Sequence, residues 1–445
     1  MKFGGTSVGD VPAFERVFRI VSEQIEKNPV VIVSAMTKVT DALLNAFEIA
    51  KRGEIENAIL SLDEHFERHQ AVARHFLNSA QQKLFQIEID FAQKELSELL
   101  MRVSRRSLPL SMLKDAIVSY GEQLSSRLLA EVLKSKNIAA RQMDSRRLIV
   151  TDDEYGAAVP IWDETEKLIK VELETLIVNG EVPVMGGFIA ASRSGETTTL
   201  GRGGSDYSAA LVAAAIRAQE LQIWTDVTGV MTCDPRICGE ARTIPVLSYE
   251  EAAELAYFGA KVLHPKTIQP AVDYSIPVRV CNTFEPEIIG TMVLAESDEA
   301  PNKIKSIAHK KNITILRISS ARMLGSYGFM SALFQVFERY RTVIDVISTS
   351  EVSVALTLDN TASLENIINE LKRLGEVEVE PNYSVICVVG EGLRSSSGLA
   401  SKIFSTIADI NISLISHGAS SVNLTFVVKE DVVSEVIKRL HQEFF

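Results

Sequence analysis

The stretch from Lys2 to Val33, KFGGTSVGDVPAFERVFRIVSEQIEKNPVVIV, reads as a turn, a helix and a strand. Gly4 and Gly5 permit close backbone approach. Phe14, Val17, Phe18, Val21 and Ile25 recur at helical spacing, which predicts a helix over 11–25. After Pro29, the run Val30 to Val33 has the continuous apolar character of a strand buried on both faces.

Working outward, the segment from Asp41 to about Arg106 is charged and heptad-like. Leu60, Phe66, Phe76, Leu84, Ile87, Phe91, Leu96 and Leu99 mark faces of several helices in an excursion that packs on the sheet. Beyond it, short β-rich runs at Val182 to Met185, Gln222 to Thr225 and Val278 to Val280 alternate with helices such as Ser205 to Ala218, the pattern of a mostly parallel α/β sheet flanked by helices. The polar, proline-containing run Ser297 to Lys305 places a boundary, so residues 1–297 read as one large domain. An internal repeat follows. Ile313 to Ile318, a helix Phe329 to Tyr340, Val346-Ile347-Ser348 and Ser353 to Leu358 compare with Ser384 to Val389, Leu399 to Ile407, Leu414-Ile415-Ser416 and Ser421 to Phe426, with landmarks 68 residues apart. Each copy is too small for a comfortable core of its own, so two modules, 298–376 and 377–445, are expected side by side.

The 445 residues are enough for about three domains. With 58 acidic against 46 basic side chains the net charge is -12, which repels a phosphate backbone and argues against a nucleic-acid partner. No apolar run approaches the roughly 18 residues of a membrane span, and Met1-Lys2 leads into a glycine turn with no signal-like apolar segment. Cys233, Cys238, Cys281 and Cys387 are too few for a disulfide framework and lack paired CxxC spacing, so free thiols in a cytoplasmic protein are expected.

Several places can carry chemistry. Lys2, Gly4, Gly5, Thr6 and Ser7 set a point charge and free amides before a helix, an anion cradle, although GxxxxGK[ST] is absent. In Thr198-Thr-Leu-Gly-Arg-Gly-Gly-Ser-Asp, Arg202 offers a bidentate fork, while Asp206 can accept from ammonium groups or help hold magnesium. Their alternative is to pair with each other and cap the helix. Thr225 and Asp226, and likewise Ser34 and Thr40, lie at strand exits, where ligands gather in open parallel sheets. Glu122 opens a helix in Tyr120-Gly-Glu-Gln-Leu-Ser-Ser, where capping is an equal alternative. Lys261 is a second candidate for phosphate, and His264 is read as structural.

KFGGTSVG, VSAM with Thr40-Asp41, YGEQLSS, TTTLGRGGSDYSA, WTDVTGVMTCDPR and FGAKVLHP, in this order and followed by the tandem repeat, resemble the motifs of aspartate kinase within the amino-acid kinase family. The C-terminal copies are similar to paired ACT modules of βαββαβ form, and Ser348 to Asp359 most resembles the monofunctional, lysine-sensitive branch. The resemblance implies transfer of the γ-phosphoryl group of ATP, with Mg2+, to the side-chain carboxylate of L-aspartate, the first step toward lysine, threonine and methionine. It also implies a homodimer or higher assembly. It assigns Lys2 and Asp206 to catalysis, with Asp206 also organising magnesium. Thr40, Glu122, Arg202 and Ser205 go to aspartate, Arg202 on the α-carboxylate and Glu122 on the α-ammonium. Lys2, Gly4, Gly5, Thr6, Ser7, Ser34, Thr225, Asp226, Met231, Arg236 and Lys261 go to the nucleotide. An L-lysine pocket maps to Met323, Ser326, Phe329, Met330 and Val343, Ile344 and Asp345, with Thr349, Ser350 and Glu351 beside it. Relatives carry several strand residues before KFGG, so either the first strand is shortened here or the start is misassigned. Met231 stands where many carry tyrosine, and Val343 where lysine-sensitive relatives often carry a small polar residue.

Overall fold

The computed structural model describes residues 1–259, 263–295, 303–325 and 327–445. They fall into two compact units, 1–229 with 264–295, and 230–263 with 296–445.

In the first unit the strands Ala140–Met143, Val182–Gly186, Val31–Val33, Lys2–Phe3, Leu221–Thr225, Val278–Asn282 and Thr291–Leu294 lie side by side in that order. All neighbours are parallel except the last pair. Lys2–Phe3 is only two residues long, yet Lys2 sits opposite Ile32 on one side and Ile223 on the other, in the middle of the sheet. Phe3, Val31, Val33 and Val184 are wholly buried, as strands covered on both faces require. The helix Val11–Glu23 begins where Asp10 accepts from the Ala13 amide (2.9 Å) and stops two residues before the expected Ile25, as the chain tightens toward left-handed Asn28.

The helical excursion comprises Val39–Lys51, Ile55–Leu60, Asp63–Phe76 and Ser79–Arg105. Its periodicity is as read, but not every face. On Ser79–Arg105 the buried stripe is Phe85, Ile89, Ala92, Leu96, Leu100 and Val103. Leu84, Ile87 and Phe91, and Leu60 at the end of Ile55–Leu60, point outward. Two apolar stripes compete on the long helix, and only packing chooses between them.

In the second unit six strands run in the order Ile347–Thr349, Ser353–Leu358, Ile304–Ser319, Glu376–Gly390, Asn423–Lys429, Leu414–His417. The two long strands are antiparallel, and each serves both copies of the repeat. Ile304 and Ile307 share a core with Ile386, Val388, Phe426 and Leu440, whereas Leu316 and Ile318 share one with Leu333, Leu356 and Val377. The C-terminal βαββα copy thus takes its fourth strand from the start of Ile304–Ser319, so the copies interleave rather than meet at residue 376. Residues 230–263, expected within the large domain, cluster with this second unit. Ile307 donates to the Thr232 carbonyl (2.8 Å), Ser306 to that of Met231 (2.8 Å), and Lys305 pairs with fully buried Glu251 (2.9 Å).

Candidate active site

The exits of three central strands are locked together by the glycine turn. Gly4 donates to the Trp224 carbonyl (3.1 Å), and Ser34 donates to that of Phe3 (3.0 Å). The Gly5 carbonyl then accepts from both the amide (3.2 Å) and hydroxyl (2.7 Å) of Thr37. A Cβ on Gly5 would stand 2.9 Å from the Ala35 carbonyl, so this approach requires glycine. The second turn has Gly203 at φ 74, left-handed, just before the helix Gly204–Ala215.

Between these turns lies a cavity of about 380 Å³ lined by Lys2, Gly5, Ser34, Thr40, Glu122, Ser205 and Asp206, together with Thr37, Lys38, Asp41, Phe188 and the glycines of the second turn. Lys2 Nζ is 2.7 Å from Asp206 Oδ1, with both side chains mostly shielded. Asp206 therefore pairs with Lys2 rather than with Arg202. It sits in the first turn of its helix, where a carboxylate is favoured. Ser34 Oγ donates to Ser205 Oγ (3.0 Å).

Glu122 enters from the helix Tyr120–Ser135 and is 4% exposed. Its Oε1 accepts from the Ala35 amide (3.1 Å), while buried Oε2 has no hydrogen-bond partner in the structure. Burial pushes this carboxyl up to about 8, against the opposing pull of the Ala35 amide and the Lys2 charge. A cation delivered to Oε2 would complete it. This is not helix capping, because the bond goes to another segment.

Other expected residues are placed differently. Ser7 is fully buried and its hydroxyl is bonded to Thr283 (2.7 Å), a support for the turn rather than part of the cavity wall. Thr6 and Arg202 are exposed, Arg202 within the glycine turn that lines the cavity. Thr225 closes its strand and donates to Asp226 (3.1 Å). Met231 and Arg236 belong to the second unit, where Asp234 accepts from the Arg236 amide and pairs with its guanidinium (2.7 Å), a turn closed on itself. Lys261 and Ser326 lie outside the described residues. Sequence reading missed Asp115. Buried, it accepts from the amides of Gly156 (2.8 Å) and Thr199 (2.9 Å) and from the Thr199 hydroxyl (3.0 Å), anchoring the strand that feeds the second turn. A lone aspartate in an amphipathic helix carries no signal of that role.

The donors facing the cavity fit a hard cation: the Asp206 carboxylate stands with the Ser34 and Ser205 hydroxyls, all oxygen. Magnesium usually takes one or two carboxylates and leaves its other positions to water and substrate phosphate.

In the second unit, Asp345 has a fully shielded side chain held by Lys310 Nζ (2.8 Å) and Tyr257 OH (2.6 Å), and its Oδ2 has no hydrogen-bond partner. Met323, Phe329, Met330 and Ile344 pack against the neighbouring core, whereas Val343 is exposed. Thr349 and Ser350 line a separate cavity of about 390 Å³ with Arg317 and Ser413. Glu351 is exposed.

Comparison with known proteins bears on this arrangement. Residues 1–282 match the amino acid kinase family, and residues 386–444 match an ACT domain. The chain is 36% identical over 457 residues to lysine-sensitive aspartokinase 3 of Escherichia coli, covering all of this chain and 98% of that protein. Two crystal structures of E. coli aspartokinase III, each 35% identical, superpose over the whole chain. The one with aspartate and ADP (R-state) gives a TM-score of 0.83 over 99% of that chain, and the one with lysine and aspartate (T-state) gives 0.85 over 98%. With matches of this length in both sequence and fold, the chain belongs to the aspartokinases of the amino acid kinase family.

Proposed function

We propose that the protein transfers the γ-phosphoryl group of ATP to the side-chain carboxylate of L-aspartate, giving 4-phospho-L-aspartate and ADP. The observation that carries this reading is the cavity in which the Lys2–Asp206 pair, two hydroxyls and the buried Glu122 carboxylate converge. A carboxylate of ordinary pKa about 3.9 is already ionised at neutral pH, so no general base is needed. The barrier is the approach of one anion to another, and positioning with positive charge lowers it. Lys2 supplies the charge. The amides of the glycine turns supply donors that need no reorganisation. Asp206, with Ser34 and Ser205, would hold magnesium, which when bound neutralises phosphate charge.

Glu122 would receive the α-ammonium group, whose arrival favours the ionised carboxylate, and Arg202 with Thr40 the rest of the amino acid. Thr225, Asp226 and the turn Gly4 to Ser7 serve the nucleotide, and motif position alone carries Met231, Arg236 and Lys261. By motif, residues 1–297 carry the catalytic machinery, and the two regulatory modules that follow trade strands across residue 376, in a cytoplasmic homodimer or higher assembly. Among the described residues no helix is long and apolar enough to cross a membrane. A sensor without kinase activity is disfavoured, because the charged residues of the cavity are in place. ADP release measured with aspartate, glutamate and other amino acids tests the reading; turnover that does not depend on aspartate overturns it.

Arg202→Ala is expected to raise the KM for aspartate far more than that for ATP, because a fork to a carboxylate that is then left unpaired is worth about 2 to 5 kcal/mol. Arg202→Lys should recover only part, since a point charge lacks the fork. Equal loss for both substrates in initial-rate measurements would move Arg202 to the phosphate side.

L-lysine is expected to inhibit through Asp345. Its Oδ1 is already held by Lys310, so an incoming ε-ammonium group must share or displace that cation, and Oδ2 is the acceptor on offer. Inhibition by lysine, threonine and methionine, compared on the native protein and Asp345→Ala, checks this. Full lysine sensitivity in the variant sinks the pocket and leaves the kinase reading intact.

A further inference from the structure

We propose that Cys233, Cys238 and His441 form a binding site for a soft divalent ion of the zinc class, one that takes no part in phosphoryl transfer. The three potential ligand atoms lie within 4.8 Å of one another, and all three side chains are buried. Cys238 Sγ is 3.4 Å from His441 Nδ1. Around a tetrahedral zinc ion, with bonds of about 2.3 Å to sulfur and about 2.0 Å to nitrogen, such edges run about 3.5 to 3.8 Å. That edge is already at the right length, and the others need to close by about 1.3 Å at most.

The imidazole is held for the task. Its Nε2 is hydrogen-bonded to Thr232 Oγ1 (2.9 Å), and that oxygen also accepts from the Arg242 amide (3.0 Å). Fixing the far ring nitrogen in this way orients a metal-binding histidine and leaves Nδ1 facing the thiols. The ring stacks on Phe445, with centroids 4.8 Å apart. The surrounding core is apolar, and there charge balance matters. Two thiolates cancel a divalent cation, so the filled site is neutral and has no net charge to desolvate. Two thiol protons leave to solvent as the metal–sulfur bonds form. Thiolate with imidazole selects zinc-like ions over magnesium. Three protein donors leave a fourth position for water or an added ligand. Filled, the site would clamp the segment that follows Val230 to the C-terminal helix Val433–Phe444, parts some 200 residues apart in the chain.

The plain alternative is a thiol pair packed against a histidine in a core. Cobalt distinguishes them. The full-length protein, reduced and stripped by a chelator, is titrated with Co2+ alone and then with Zn2+ alone. The proposal expects one Co2+ per chain, a sulfur-to-cobalt charge-transfer band with tetrahedral visible bands, their loss on adding Zn2+, and a Tm raised by Zn2+. Cys238→Ser and His441→Gln should lose the bands, while Cys281→Ser and Cys387→Ser keep them. Because His441→Gln risks loosening the core, Cys233→Ala, its fold checked by circular dichroism, is the second test. Absence of the bands in the reduced native protein overturns the proposal, and so does their survival in both Cys233→Ala and Cys238→Ser.

Discussion

Lys2→Ala is expected to lower turnover at saturating ATP and aspartate by roughly 100-fold or more, the scale for losing one donor aimed at developing charge. Two effects add. The cation that faces the transferred group disappears, and Asp206, now 2.7 Å from that ammonium, is left as an uncompensated anion on the wall the triphosphate must approach. The fold should survive. The strand is held by backbone pairing to Val31–Val33 and Leu221–Thr225 and by fully buried Phe3, none of which uses the lysine side chain. Coupled detection of ADP, with circular dichroism as a control, measures it. Near-normal turnover in a folded variant would remove Lys2 from the chemistry.

Glu122→Gln separates binding from folding. Glutamine keeps an oxygen for the Ala35 amide, so the local bond is preserved. It cannot become an anion for the α-ammonium group, and the expected cost is about 2 to 5 kcal/mol in aspartate binding, a KM increase of about 30-fold or more with little change for ATP. Stability should move the other way. The folded carboxyl titrates at about 8 against an ordinary 4.5, so the folded state holds this proton more tightly than the unfolded chain does. The substrate-free protein therefore has full stability from this group below about 4.5. It loses stability as pH rises from there through 8, by about 5 kcal/mol as an upper figure. Glu122→Gln should lack that loss. Urea unfolding near pH 4.5 and near pH 8 in both proteins reads it, and identical pH dependence would mean the carboxyl is not shielded as described.

Much of the site was legible because its parts are local. The glycine turns stand directly before helices in the sequence, where an anion cradle or a plain cap can form, and Lys2, Gly5, Ser34, Thr40, Glu122, Ser205 and Asp206 all reached one cavity. Ser7 did not, because its neighbourhood in space is Thr283, 276 residues away. Asp115 went unnoticed for the same reason: its partners, Gly156 and Thr199, lie 41 and 84 residues along the chain. The resemblance puts Asp345 in an L-lysine pocket, and the fold has already brought it Lys310.

The sequence by itself determined the element types, the parallel sheet and the duplication at the C-terminus, because apolar periodicity and turn chemistry are set within a few residues. Tertiary structure alone decided which face of Ser79–Arg105 is buried, how the two repeat copies trade strands, where residues 230–263 pack, and that His441 meets two cysteines more than 200 residues earlier. These choices depend on contacts between distant segments. Two faces of one helix, or two ways of completing a small sheet, look alike in local pattern and differ only in the surface each finds to bury against.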